Sequence, residues 1–168
     1  MSQDILDEIN SLIKKYFDDQ KEEEFIPGKT KIPLAVPQFG SDEVIESVES
    51  LISTWVTMGK KVKTFESQFK DYVGQKDALM VNSGSSANLI TLSALKILLN
   101  KKKGEIIVPS FTWISDIISI IKNDFKPVFV DINLKNLCAS EEQILKKINK
   151  NTVAVFLTHA QGLNGLSK

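Results

Sequence analysis

Ile106-Ile107-Val108-Pro109-Ser110-Phe111-Thr112-Trp113 is the stretch on which the fold turns. Its first four residues are apolar without alternation, the pattern of a strand covered on both faces. A helical pattern follows over 113–122, and a second apolar run occupies 127–131. Outward from this unit, runs at 78–81 and 153–157 predict two further strands, while 86–99 and 140–149 predict two further helices. Strands alternating with helices predict an α/β domain with a mostly parallel sheet and flanking helices. Ser140 followed by Gln143 predicts a capping box at the last helix.

Upstream the period changes. Ile5, Leu6, Ile9, Leu12, Ile13, Tyr16 and Phe17 recur at helical spacing, so the chain opens on an amphipathic helix. Charge-dense residues 18–24 form a connector, which separates a leading segment, 1–24, from a main body, 25–168. Ser41 is the expected cap of a second helix, with Asp42 and Glu43 favourably placed in its first turn. Val44, Ile45, Val48, Leu51, Ile52 and Trp55 are its expected buried stripe. Gly59 ends that region, and a shorter helix carries Phe65, Phe69, Tyr72 and Val73.

The chain has 168 residues, 42% of them apolar and 25% charged, so a packed core is affordable and disorder is not expected. Twenty-one basic and 21 acidic residues cancel, which removes any charge argument for a nucleic-acid partner. All 21 basic residues are Lys, so the planar bidentate clamps that Arg gives to phosphate are missing. No apolar run exceeds five residues and no basic-then-apolar leader opens the chain, so neither a membrane span nor secretion is expected. The lone Cys138 cannot form an internal disulfide, and the cytoplasm is the default location. The last strand is followed only by a polar, Gly-containing stretch. A parallel strand needs a neighbour and a covering helix, so the chain reads as the front part of a larger protein.

Asn82-Ser83-Gly84-Ser85-Ser86-Ala87-Asn88 sits between an expected strand and an expected helix. Small residues admit close backbone approach, and a helix start offers unpaired N–H groups at a positive dipole end. Two readings stand at this point: a phosphate cradle, or a Ser-capped helix entry without a ligand. It is neither a Walker loop nor a dinucleotide fingerprint. Trp113 follows the next strand and likewise has two readings, an indole stacked on an aromatic ring or a core anchor for the next helix.

Several segments in order resemble the N-terminal half of the DegT/DnrJ/EryC1/StrS family. They are Trp55-Val56-Thr57-Met58-Gly59 with Phe65-Glu66, Asn82-Ser83-Gly84-Ser85-Ser86-Ala87, and Ile107-Val108-Pro109-Ser110-Phe111-Thr112-Trp113. Pro127-Val128-Phe129-Val130-Asp131-Ile132 and His159 followed by Gly162 complete the set. The resemblance implies the first part of the large domain of a fold type I enzyme that uses pyridoxal 5'-phosphate, with pyridoxamine phosphate as intermediate. It implies a nucleotide-linked keto-sugar and an amino donor as substrates, a homodimer, and a place in surface-polysaccharide (lipopolysaccharide) or modified-sugar biosynthesis. By the same resemblance, Gly84, Ser85 and Ser86 bind the cofactor phosphate and Trp113 stacks on its ring. Thr57 and Gly59 lie near the sugar nucleotide. His159 is either a site-lining or a structural histidine.

The family's ring-nitrogen carboxylate and its catalytic Lys, or His in the 3-dehydrases, are expected beyond residue 168, so no catalytic residue is assigned here. Sugar aminotransferase is the first reading. A 3-dehydrase, in which an iron–sulfur cluster can occur, is the alternative, supported by the opening Phe25-Ile26-Pro27-Gly28-x-Thr30-x-Ile32-Pro33. A non-catalytic truncated relative and a free-standing phosphate-binding domain are the remaining classes.

Overall fold

The computed structural model describes residues 3–20 and 24–165. They gather into two compact units, Met1–Ala78 and Leu79–Lys168.

The first unit holds α1 (Gln3–Asp18), α2 (Ser41–Ile52) and α3 (Lys60–Tyr72). α1 packs on α2, and the Asn10 side-chain amide donates to Glu49 Oε1 at 3.4 Å. Gly40, not Ser41, is the cap of α2, and Ser41 is already helical. The reason lies three residues on, where the Glu43 carboxylate accepts the Gly40 N–H at 2.7 Å. That bond holds the Glu43 carboxyl below its ordinary range. The expected buried stripe also runs out early. Val44, Ile45 and Val48 are half-buried, but Leu51, Ile52 and Trp55 are exposed. Thr54 takes a left-handed φ of 60°, which turns the chain out of the helix before Trp55 can join its face.

The second unit runs α4 (Gly84–Leu98), β1 (Glu105–Pro109), α5 (Ile114–Lys122), β2 (Lys126–Val130), α6 (Glu141–Lys147) and β3 (Thr152–Val155), then a 3-10 turn at Ala160–Gly162. The sheet order is β2-β1-β3 and both pairings are parallel. β1 is central, which explains its unbroken apolar run. Ile106 and Val108 face one way into a cluster with Leu92, Ile120 and Phe125. Ile107 faces the other way, with Val130 and Ala139 and with Ile144 of α6 packed against them. Each of these fully buried aliphatic side chains contributes roughly 1.5–3 kcal/mol relative to an exposed one.

Two expectations fail here. Residues 78–81 form no strand: the described sheet pairs only β2, β1 and β3, and Leu79 and Met80 are exposed. Ser140 does cap α6, but its side chain makes no capping bond, so the expected box with Gln143 does not form. β3 stops at Val155, two residues before the apolar run ends, although Phe156 N–H still donates to Ile107 O at 2.8 Å.

Candidate functional site

Polar side chains join α4 to α5 along their length, and one group of them sits beyond the carboxyl ends of β1 and β3. α4 and α5 lie side by side and point the same way. Asn88 Nδ2 donates to Asp116 Oδ1 at 2.7 Å near their starts, and Ser93 Oγ donates to Asn123 Oδ1 at 2.8 Å further along. Lys96 Nζ meets Asp124 Oδ2 at 2.6 Å near their ends, and this Lys96 bond holds the Asp124 carboxyl below its ordinary range. Ser85 stands three residues before Asn88, hence on the same helix face one turn nearer the start. Trp113 stands three residues before Asp116, whose N–H donates to Trp113 O at 3.0 Å. The serine loop and the indole therefore belong to two adjacent helix starts.

Ser83 is the cap of α4, and its Oγ accepts the Ser86 N–H at 3.2 Å. The Ser86 hydroxyl donates to Asn82 Oδ1 at 2.7 Å, so the loop is braced by its own side chains. Gly84 faces open space, since a Cβ built there meets no atom within 4 Å. The first turn of α4 carries no acidic residue, unlike those of α2, α5 and α6, so nothing of the helix's own neutralises its positive end. An anion is the ligand such an end favours. Trp113 is 72% exposed, so its indole is not packed into the core beneath α5.

Beneath these groups lies a cluster that the sequence reading did not single out. Asp116, only 5% exposed, takes a hydrogen bond from Asn88 of α4 and another from Thr112 in the β1–α5 loop. Thr158, just after β3, contacts Thr112 Oγ1 at 2.6 Å and Asp116 Oδ2 at 3.2 Å. A signal was present: Asp116, Ile120 and Asn123 share one helical face, so a carboxylate occupies the buried stripe of α5.

His159 lies after β3 with its ring exposed, and its Nδ1 accepts the Gly165 N–H at 3.1 Å. In the neutral ring the proton then sits on Nε2, which is left to donate outward. Gly162 takes a φ of 78°, a conformation that favours glycine in the turn that follows. Cys138 is buried against Leu163 O, consistent with a packing role.

Thr57 and Gly59 belong to the first unit, where they line an open hollow of about 1300 Å³ with Trp55, Met58, Lys60 and Lys61. Gly59 lets the Trp55 ring lie against the backbone. A Cβ there would stand 2.3 Å from Trp55 Nε1, and that nitrogen donates to Met58 O at 3.3 Å.

The architecture is that of fold type I enzymes, and the chain belongs to the DegT/DnrJ/EryC1/StrS aminotransferase family, whose profile matches residues 37–165. Among its relatives is the dTDP-4-dehydro-2,6-dideoxy-D-glucose 3-dehydratase of Saccharopolyspora spinosa, 30% identical over 96% of this chain and 36% of that protein. GDP-perosamine synthase of Vibrio cholerae is 33% identical over 78% of this chain and 35% of its own length. Among solved structures, the E. coli GDP-4-keto-6-deoxy-D-mannose-3-dehydratase with bound hydrated PLP superposes with a TM-score of 0.70. It is 33% identical, over 76% of this chain and 33% of that one. The chain thus spans about a third of the length of the relatives it matches.

Proposed function

We propose that the protein is a PLP-dependent aminotransferase acting on nucleotide-linked keto-sugars, to which this chain contributes the phosphate cradle and the ring-stacking indole. The observation that carries this reading is the 2.7 Å bond between Asn88 and Asp116, which joins the start of the serine-loop helix to the start of the Trp113 helix. The residues fit the cofactor on two further counts, the open space at Gly84 and the exposed face of Trp113. When bound, pyridoxal phosphate supplies an electron sink for bonds at the amino-bearing carbon.

The chain's own residues have narrower tasks. Amide groups of Gly84, Ser85 and Ser86, with the Ser85 hydroxyl, hold the phosphate in a chain that has no Arg. Trp113 fixes the plane of the ring. His159 Nε2–H donates to an oxygen of the substrate, and the hollow at Thr57 and Gly59 receives the nucleotide portion. The Schiff-base group is carried beyond this stretch. The same reading expects a cytoplasmic homodimer working in surface-polysaccharide or modified-sugar biosynthesis.

A second reading, a 3-dehydratase of the same family, is favoured by one observation. The match to the Saccharopolyspora enzyme spans 96% of this chain, against 78% for GDP-perosamine synthase. An iron–sulfur cluster belongs to that branch alone. Product analysis separates the two. Full-length protein loaded with pyridoxal phosphate is incubated with glutamate and a nucleotide-linked 4-keto-6-deoxy-sugar, and the product is read by mass spectrometry. Replacement of the carbonyl oxygen by an amino group is expected. Loss of the C3 hydroxyl oxygen would establish the second reading, and unchanged keto-sugar would refute both.

A further inference from the structure

We propose that Asp116 is the positioning residue of this site, fixing the Trp113 loop against the serine-loop helix through hydrogen bonds from Asn88, Thr112 and Thr158. The proposal rests on the cofactor reading given above for its functional consequence, and on hydrogen-bond geometry for everything else. Asp116 is buried, and its carboxylate has no cation among its hydrogen-bond partners, all of which are neutral side chains. A buried carboxylate held this way is costly unless its lone pairs are filled, and an apolar residue at this point of α5 would pack at no such cost. What the carboxylate achieves instead is a junction. Asn88 comes from α4, Thr112 from the β1–α5 loop, and Thr158 from the segment after β3.

Three contacts close this junction. Thr112 Oγ1, Thr158 Oγ1 and Asp116 Oδ2 form a triangle, with Thr158 at 2.6 Å from Thr112 and at 3.2 Å from Oδ2. Thr112 donates to the carboxylate, and the Thr158 hydroxyl has both Thr112 Oγ1 and Asp116 Oδ2 within reach of its one proton. Asn88 fills the other oxygen, Oδ1. Thr112 immediately precedes Trp113, and the Asp116 N–H also donates to Trp113 O at 3.0 Å. The backbone that carries the exposed indole is therefore held at Thr112 by the Asp116 carboxylate and at the Trp113 carbonyl by the Asp116 N–H. Removing the carboxylate at Asp116 frees the loop, whereas removing a donor at Thr158 loosens the far end of the same junction.

The test uses the full-length protein with Trp55→Phe, so that Trp113 is the only indole contributed by these 168 residues and any others are likewise replaced. Asp116→Asn, Thr158→Val and Thr112→Ser are compared by Trp113 fluorescence anisotropy and iodide quenching without cofactor, then by titration with pyridoxal phosphate. Asp116→Asn keeps one acceptor oxygen, replaces the other by an NH2 group and removes the charge, so the junction loses its charge-assisted bonds. This variant is expected to lower the anisotropy, raise the quenching constant about twofold and weaken cofactor binding about tenfold, the worth of one charge-assisted bond. Thr158→Val is expected to do the same to a smaller extent, and Thr112→Ser, which keeps the hydroxyl, to match the parent. If Asp116→Asn does not fold, the comparison of Thr158→Val with Thr112→Ser carries the test. Unchanged anisotropy in folded Asp116→Asn, or in Thr158→Val, overturns the proposal. Lowered anisotropy in a parent that binds no pyridoxal phosphate would leave Asp116 positioning Trp113 and refute the cofactor reading alone.

Discussion

If the serine loop holds the cofactor phosphate, Ser83 and that anion compete for one donor, and the competition can be measured. Ser83 Oγ accepts the Ser86 N–H at 3.2 Å, closing the start of α4. Replacing a Ser cap by Ala costs about 1 kcal/mol. A phosphate that engages the Ser86 amide must displace the Ser83 oxygen, so wild-type binding is weakened by the same amount. Ser83→Ala should therefore destabilise the ligand-free protein by about 1 kcal/mol and leave the loaded form nearly unchanged. Affinity for pyridoxal phosphate then rises about fivefold, since RT is about 0.6 kcal/mol. Urea unfolding with and without saturating cofactor, together with a direct titration, gives both numbers. An affinity that falls or stays constant would show that the Ser86 amide does not hold the phosphate. A stability that does not fall would refute the capping geometry itself.

Gly59→Ala drives a methyl into the Trp55 ring, 2.3 Å from Nε1, and breaks its bond to Met58 O. Because that ring is exposed and can swing away, the expected stability loss is small, under about 1 kcal/mol, with a red shift of Trp55 emission in a Trp113→Phe background. Ile106→Ala removes a fully buried side chain from the central strand, and urea denaturation should record a loss of about 2–5 kcal/mol. The Asp124 carboxyl is held below its ordinary value of 3.8 by Lys96, so its contribution is complete above that pH and disappears as pH falls through the lowered value. Asp124→Asn should accordingly flatten the acid limb of the stability profile below about pH 4 and leave the neutral-to-alkaline limb unchanged in shape. Borohydride reduction of the loaded full-length protein, followed by peptide mapping, should give no stoichiometric adduct on any of the 21 lysines of this chain.

The sheet was legible because its central strand is covered on both faces, which leaves an unalternating run at 106–109 that no surface strand would carry. The helices after it were legible from their period, to within a few residues at each end. The segment 78–81 misled because apolar content reports burial potential and does not by itself specify strand pairing. Ser41 misled for a related reason. A cap is chosen by which backbone group can reach which oxygen, and Glu43 reaches Gly40 where composition alone favours serine. The candidates Gly84, Ser85, Ser86 and Trp113 were picked out by residue type just ahead of helical patterns, α4 and α5 in the structure, although only Trp113 follows a strand. Asp116, Thr112 and Thr158 were not, because their meaning lies in contacts between distant segments, 28 residues apart for Asn88 and Asp116 and 42 for Asp116 and Thr158. Only the carboxylate on the buried stripe of α5 hinted at them.

A crystal structure of the full-length protein soaked with pyridoxal phosphate addresses the cradle most directly. The phosphate should lie on the amides of Gly84, Ser85 and Ser86, with the pyridine ring against the Trp113 indole. Phosphate density elsewhere, or a ring that leaves the indole uncovered, would contradict it.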